Sequence, residues 1–105
     1  LHANCGNCHN DSPDGLPQND LNLWLDVGLS SPEETNAYQT AVGKPTMMFK
    51  DQHVSGLVVS GDPDASAVLY RMLQRGNAAQ MPPVASEQID EESAGIIRDW
   101  IEGLE

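Results

Sequence analysis

The chain has 105 residues, and its 16 acidic and 5 basic residues give a formal net charge of −11 at pH 7. Nucleic acid is therefore a poor partner, because phosphates repel an acidic surface. The same charge favours a partner with a basic docking face, or serves solubility alone. Aromatic residues make up 5% of the chain, so a one-domain core would gain from a buried flat cofactor. No run of about twenty apolar residues occurs, which predicts no membrane span.

The first feature along the chain is the sequence Cys5-Gly6-Asn7-Cys8-His9. Two thiols at this spacing lie on one edge of a helical turn, where each can add to a vinyl group of a haem. The histidine that follows then faces the iron as an axial ligand. The chain has 2 cysteines, both in this motif, so none is left for a disulfide. We therefore expect one covalent haem c, linked through Cys5 and Cys8, with His9 as the proximal iron ligand.

Two other chemistries use paired cysteines. A dithiol redox pair follows a strand and opens a helix in a βαβ unit, whereas only Leu1 to Asn4 precede this motif. A zinc site on the two thiols needs two more ligands, for which the candidates are His9, His2 and His53. Both remain alternatives to haem attachment.

The segment that follows the motif predicts a loop and then an extended stretch. Residues 10–20 are rich in Asn, Asp, Pro and Gly, which is typical of an ordered loop. We expect a carbonyl of Pro13 or of residues 15–17 to accept a hydrogen bond from the His9 ring nitrogen that does not bind iron. Beyond the loop, three leucines alternate with other residues and are expected to share one face: Leu21, Leu23 and Leu25.

A capping box marks the next element. Ser31 and Glu34 enclose a proline at the first helical position, so we predict a helix from Pro32 to about Ala41, ended by Gly43. Residues 43–61 show no helical period. They are predicted to form an irregular insertion with a short strand near residues 57–59.

The second half predicts two amphipathic helices separated by a loop at residues 77–86. Asp62-Pro63 begins the first helix and Gly76 ends it. Its apolar residues recur at helical spacing: Ala65, Val68, Leu69, Met72 and Leu73. Acidic residues at 90–92 begin the last helix. Its buried side is expected to comprise Ile97, Trp100, Ile101 and Leu104.

Met81 is the predicted distal iron ligand. It immediately precedes Pro82-Pro83, whose fixed φ angles limit how far the sulfur can move. A thioether ligand favours ferrous iron and raises the potential relative to a second imidazole. Competing ligands, or packing and loop residues, are Met47, Met48, Met72, His53 and His2. An open distal position is a further alternative.

The basic residues offer partners for the haem propionates. Each of Arg71, Arg75 and Lys44 either neutralises a propionate or lies on the surface.

Motifs at both ends of the chain resemble those of class I c-type cytochromes. Besides residues 5–9, they are Gly61-Asp62-Pro63, Val68-Leu69-Tyr70-Arg71-Met72, Met81-Pro82-Pro83 and Ile97-Arg98-Asp99-Trp100-Ile101. The pattern is similar to that of single-haem domains fused to larger secreted or periplasmic bacterial proteins. The resemblance implies an all-α, cytochrome c-like fold of three to five short helices around one haem. It also implies His9 and Met81 as axial ligands.

The same resemblance implies electron transfer by Fe(III)/Fe(II) cycling, without enzyme activity, in the bacterial periplasm or outside the cell. We expect residues 1–105 to be one cytochrome domain, excised from a longer secreted protein and monomeric. Its expected partner is a redox protein with a basic docking face. A relay to or from a dehydrogenase or a polysaccharide-active copper oxygenase is one form of this function. The alternative is a haem enzyme or a gas or redox sensor with a labile or open distal position.

Overall fold

The computed structural model describes residues 1–12, 20–47, 49–83 and 87–104. The chain divides into two compact units, Leu1–Val42 and Gly43–Glu105. The described residues contain four α-helices, which are α1 (His2–Cys5), α2 (Asn36–Ala41), α3 (Ala67–Met72) and α4 (Glu91–Glu102). They also contain 3₁₀ turns at Pro32–Glu34 and Pro63–Ala65 and no strand. The predicted all-α class is therefore confirmed for the described part of the chain.

The core of the first unit includes Leu23 and Ala41, which are buried. The expectation that Leu21, Leu23 and Leu25 share one face is not met at Leu25, which is 52% exposed whereas Leu23 is buried. Asn22 is buried instead, and Thr40 satisfies its backbone: the Thr40 hydroxyl accepts from the Asn22 N–H at 2.9 Å and bonds the Asn22 carbonyl at 3.1 Å. A paired polar residue can occupy the interior, which a simple alternation rule does not anticipate.

The predicted helix from Pro32 to Ala41 is two elements rather than one. Its capping box is confirmed, because Glu34 Oε2 accepts from the Ser31 N–H at 3.2 Å. Thr35 then adopts an extended backbone (φ −70°, ψ 148°) and its hydroxyl caps α2 by accepting from the Tyr38 N–H. A second N-cap, at Thr35, therefore begins a separate helix. It ends at Ala41, before Gly43 with its φ of 72°.

Residues 43–61 of the second unit are irregular where described, as predicted, but the short strand at residues 57–59 is absent. The Leu57 N–H donates to the Lys44 carbonyl at 2.8 Å, and the Leu57 carbonyl accepts from the Val68 N–H at 3.1 Å. The segment therefore bonds to a loop and to a helix start rather than to a neighbouring strand. An isolated parallel bridge joins Gly56 and Ser66.

That bridge also divides the helix predicted from Asp62 to Gly76. Asp62 caps the first turn through the Ala65 N–H at 3.2 Å, as expected. Ser66 is fully buried and extended (φ −90°, ψ 119°), and its Oγ accepts from the Val59 N–H at 2.8 Å. These tertiary bonds interrupt the helical path. Helix α3 ends at Met72, so Gly76 (φ 77°) is not its terminating residue.

Helix α4 begins where predicted, but only Ile101 of its expected inner side is buried: Ile97 and Trp100 are half-buried, as is Leu104, which lies beyond the last residue of the helix. Asp90 caps it by accepting from the Ser93 N–H at 3.0 Å, and Ile101 on its predicted inner side is fully buried. The helix packs against α3, and the Ile101 carbonyl accepts from the Gly61 N–H at 2.9 Å. No helix in the described ranges combines the length and apolar character needed to cross a bilayer.

Candidate functional site

The Cys5–His9 segment forms one continuous helical turn. The carbonyl of Cys5 accepts hydrogen bonds from the Cys8 N–H at 3.2 Å and from the His9 N–H at 2.8 Å. The Asn10 side-chain amide donates to the Gly6 carbonyl at 2.9 Å and closes the turn. The structure therefore brings both cysteines and the histidine together on the kind of turn that the spacing predicted.

The reactive atoms of this turn differ in their surroundings. Cys8 is exposed and Cys5 is half-buried, and both are free thiols. Burial raises the pKa of the Cys5 thiol, a shift that the chain amino terminus opposes and Cys8 reinforces. The Nδ1 atom of His9 is shielded from solvent, so Nε2 is the nitrogen suited to ligation. The loop carbonyls expected to orient this ring, at Pro13 and residues 15–17, lie outside the described residues.

The backbone of residues 23 and 24 contacts the Cys5–His9 turn. The sequence did not predict this contact. The Leu23 N–H donates to the His9 carbonyl at 2.8 Å. A Cβ atom on buried Gly6 would lie 2.8 Å from the His2 carbonyl oxygen, 3.1 Å from the Leu23 carbonyl oxygen and 3.3 Å from Trp24 Cα. Glycine is needed at position 6 for this close approach rather than for an unusual φ, which is −63°.

Met81, the predicted distal ligand, lies in the second unit and is half-buried. Its N–H donates to the carbonyl of Arg71 at 3.1 Å, and its carbonyl accepts from Arg75 Nη1 at 3.4 Å. The preceding residue, Gln80, accepts the Gly76 N–H through Oε1 at 2.9 Å. Met81 and the residue before it are thus bonded to α3 and to the residues that follow this helix.

Arg71 and Arg75 therefore have a role that the sequence did not reveal. Arg71 Nε donates to the Ala79 carbonyl at 2.9 Å, and its guanidinium lies 4.4 Å from the centre of the Phe49 ring. Burial lowers the pKa of Arg71. Arg75 Nε donates to the Gln88 carbonyl at 3.2 Å. No sequence pattern marks an arginine that binds backbone carbonyls, so no signal was available for this role.

The competing ligands have other surroundings. His2 Nδ1 accepts from the Leu25 N–H at 2.9 Å. His53 Nδ1 pairs with Asp51 Oδ1 at 2.6 Å, and its ring stacks on Tyr70 at 5.5 Å. Met47 is 55% exposed, Met72 is the half-buried last residue of α3, and Met48 lies outside the described residues.

The hydrogen bonds of His53 to Asp51 have an electrostatic consequence for that carboxyl. The backbone N–H and then the side chain of His53 hold the pKa of the Asp51 carboxyl below its usual value, with a smaller contribution from Tyr70. Burial, followed by the Asp51 charge, raises the pKa of Tyr70. His53 thus belongs to a surface cluster with Asp51 and Tyr70, in accord with its interpretation as a hydrogen-bonded loop histidine.

Within the described ranges, no group of three or more His, Cys, Asp or Glu side chains is arranged to hold a metal ion. Such a group is what the zinc alternative requires; haem attachment requires only the two thiols and one imidazole on the turn. Comparison of the chain with protein families, with curated proteins and with solved structures yields no match.

Proposed function

We propose that this chain is a class I c-type cytochrome domain that transfers electrons through one covalent haem c. The observation that supports it most is the Cys5–His9 turn, in which a half-buried thiol, an exposed thiol and one imidazole share a single helical turn. A cytochrome c-like arrangement of short helices is compatible with the helical class of the chain. The proposed axial ligands are His9 and Met81.

The residues present fit such a group. The two free cysteines supply the sulfurs for thioether links. The Nδ1 atom of His9 is shielded from solvent, which leaves Nε2 as the nitrogen for iron. The bonds from Arg71 and Arg75 restrict the backbone at Met81 before any ligand binds. When bound, the haem supplies a one-electron Fe(III)/Fe(II) couple, and no substrate needs to reach the metal.

The proposal extends to the setting of the domain. We place it in the bacterial periplasm or outside the cell, where haem is attached to proteins of this type, as a monomer and as part of a longer protein. Its proposed partner is a redox protein with a basic docking face, because the chain carries a net charge of −11. A relay role beside a dehydrogenase or a polysaccharide-active copper oxygenase rests on family association.

The distal ligand is tested by Met81→Ala, with Met47→Ala as a matched control because Met47 is 55% exposed. In the haem-loaded protein, Met81→Ala is expected to remove the ferric absorption band that reports an iron–thioether bond and to lower the reduction potential. Met47→Ala should change neither. An unchanged spectrum and potential in Met81→Ala would rule out Met81 as the ligand.

Ligand addition to the unmutated protein separates the electron carrier from the enzyme or sensor alternative. If His9 and Met81 both occupy the iron, carbon monoxide and cyanide should bind slowly at neutral pH. They should bind faster to Met81→Ala, which opens the distal position. A rapid spectral change in the unmutated protein would favour an accessible iron and therefore the alternative function.

A further inference from the structure

The first unit carries a row of exposed large apolar side chains, which we name the apolar segment, residues 24–29. The exposed fractions are 44% for Trp24, 52% for Leu25, 97% for Val27 and 40% for Leu29. Single exposed apolar side chains need no explanation, but four within six consecutive residues form a patch of the kind that marks a binding surface.

Hydrogen bonds hold the apolar segment in place. The side-chain amide of Asn36 donates to the Trp24 carbonyl at 2.9 Å and to Asp26 Oδ2 at 3.0 Å. The Leu25 N–H donates to His2 Nδ1 at 2.9 Å, and the His2 ring meets the Trp24 ring edge-on at 4.6 Å. Residues 24–26 of the segment are therefore held in place, which reduces the entropy lost when a partner binds.

The apolar segment also adjoins the proposed haem attachment turn. Trp24 Cα lies 3.3 Å from the position of a Cβ on Gly6, one of the two residues between the cysteines of the turn. Residue 23, which directly precedes the segment, donates its N–H to the His9 carbonyl. A protein bound at residues 24–29 would thus be close to the covalent links of the haem.

The aspartate, glutamate, lysine and arginine side chains of residues 1–42 carry charge of one sign. Residues 1–42 contain no lysine or arginine, so every basic residue of the chain lies in residues 43–105. Exposed acidic residues flank the apolar segment on both sides or lie within it: Asp20, Asp26, Glu33 and Glu34. An apolar centre with an acidic rim is complementary to a surface whose apolar centre has a rim of lysine and arginine.

We propose that the apolar segment is the docking site for a separate redox protein whose own apolar patch is ringed by basic side chains. The inference rests on the proposed function and assigns it a surface. In the docked complex one electron passes between the partner's metal centre and the haem, so that one centre is oxidised and the other reduced. No bond forms or breaks, and no proton is transferred.

The test compares the double variant Leu25→Ser/Val27→Ser with Ile96→Ser in the haem-loaded protein. Ile96 is a matched control because it is an exposed apolar residue (62%) in α4 of the other unit. The probe is a lysine-ringed class I cytochrome in the opposite redox state, mixed by stopped flow. The double variant should lower the second-order rate about tenfold, the loss expected for about 1.4 kcal/mol of apolar contact. Ile96→Ser should leave the rate unchanged.

Two further measurements identify what covers the patch. Hydroxyl-radical labelling of the haem-loaded protein should modify Trp24 and Leu25 when the protein is alone and modify them less when the probe is added. Protection without the probe would mean that the haem or another part of the chain covers the patch, and would overturn the proposal. Protection that increases with protein concentration, together with a dimer in sedimentation, would assign the patch to a second copy and would also overturn it.

The outcomes separate this inference from the proposed function. If the protein is colourless, both the proposed function and the docking site are overturned. A coloured protein with His9 and Met81 as ligands, whose rate with the probe is the same in the double variant and in Ile96→Ser, removes the docking site alone. Reduction by a small uncharged reductant should be equal in all three proteins, which shows that the haem itself is unchanged.

Discussion

The main-chain N–H of Met81 donates a hydrogen bond to the carbonyl of Arg71 across 3.1 Å. The Arg71 side chain bonds the same loop at Ala79, so one residue holds the Met81 loop through both its backbone and its side chain. A methionine that has to meet a metal gains from such restriction, because fewer loop conformations are lost when its sulfur binds.

Arg71→Lys tests this positioning role. Lysine keeps the positive charge but loses the planar guanidinium that reaches Ala79 and lies over Phe49. We expect the free energy of unfolding to fall by about 1–2 kcal/mol, amide exchange at Met81 to accelerate, and cyanide to displace the distal ligand faster.

Arg98→Lys is the control for Arg71→Lys. Arg98 pairs with Asp64 at 3.0 Å on an exposed surface, so its substitution should change stability by less than about 0.5 kcal/mol. Equal amide exchange at Met81 in both variants would show that Arg71 does not hold the loop.

Gly6→Ala tests the close approach at the Cys5–His9 turn. The new Cβ would lie 2.8 Å from the His2 carbonyl oxygen, and backbone cannot move away as a flexible side chain can. We expect a loss of about 1–3 kcal/mol in the free energy of unfolding, measured by denaturant titration, and a lower yield of haem-loaded protein.

Gly95→Ala is the matched substitution for Gly6→Ala. Nothing lies within 4 Å of a Cβ at Gly95, which is an exposed position inside α4. Alanine there should stabilise the protein by up to about 1 kcal/mol, because glycine is the poorer helix former. A Gly6→Ala variant as stable as Gly95→Ala would contradict the packing around the turn.

The elements set by local sequence were the predictable ones. The capping box at Ser31, the Asp62-Pro63 start and the Asp90 cap are each determined within four residues. The breaks at Thr35 and Ser66 were not predictable by period alone. Ser66 leaves the helix because its backbone forms a bridge with Gly56 and its hydroxyl bonds Val59, both of which are tertiary interactions.

In the candidate site, too, the features set by local sequence were predictable and those set by tertiary interactions were not. Spacing identified the Cys5–His9 turn, because a motif contained in one turn is local. The support of Met81 by Arg71 and Arg75 was missed, since an arginine that binds backbone carbonyls has no distinctive sequence pattern. The expectation that Leu25 shares a face with Leu23 failed because the alternation rule places polar residues outside. Asn22 is buried instead, and its backbone is hydrogen-bonded to Thr40.

Asp90→Asn tests the pH dependence of the α4 cap. The N–H and then the hydroxyl of Ser93 lower the pKa of the Asp90 carboxyl. A carboxyl with a lowered pKa in the folded state stabilises the protein above its unfolded pKa, and this contribution is lost as the pH falls through the folded pKa. Asparagine can still accept the Ser93 N–H but does not titrate.

We therefore expect the melting temperature of the unmutated protein to fall more steeply on acidification than that of Asp90→Asn. The difference between the two proteins should shrink below the ordinary titration range of an aspartate carboxyl. Asp51 also has a lowered pKa, but it is present in both proteins and cancels in the comparison. Parallel melting curves at every pH would mean that the Asp90 charge adds nothing to the cap.

The most direct test of the proposed function is the intact mass and absorption spectrum of the protein expressed with a cytochrome c maturation system. We expect a coloured protein that is heavier than the polypeptide by one haem, keeps that mass after denaturation, and loses it when both Cys5 and Cys8 are replaced by alanine. A colourless product with the mass of the bare polypeptide would contradict the assignment of this chain as a c-type cytochrome.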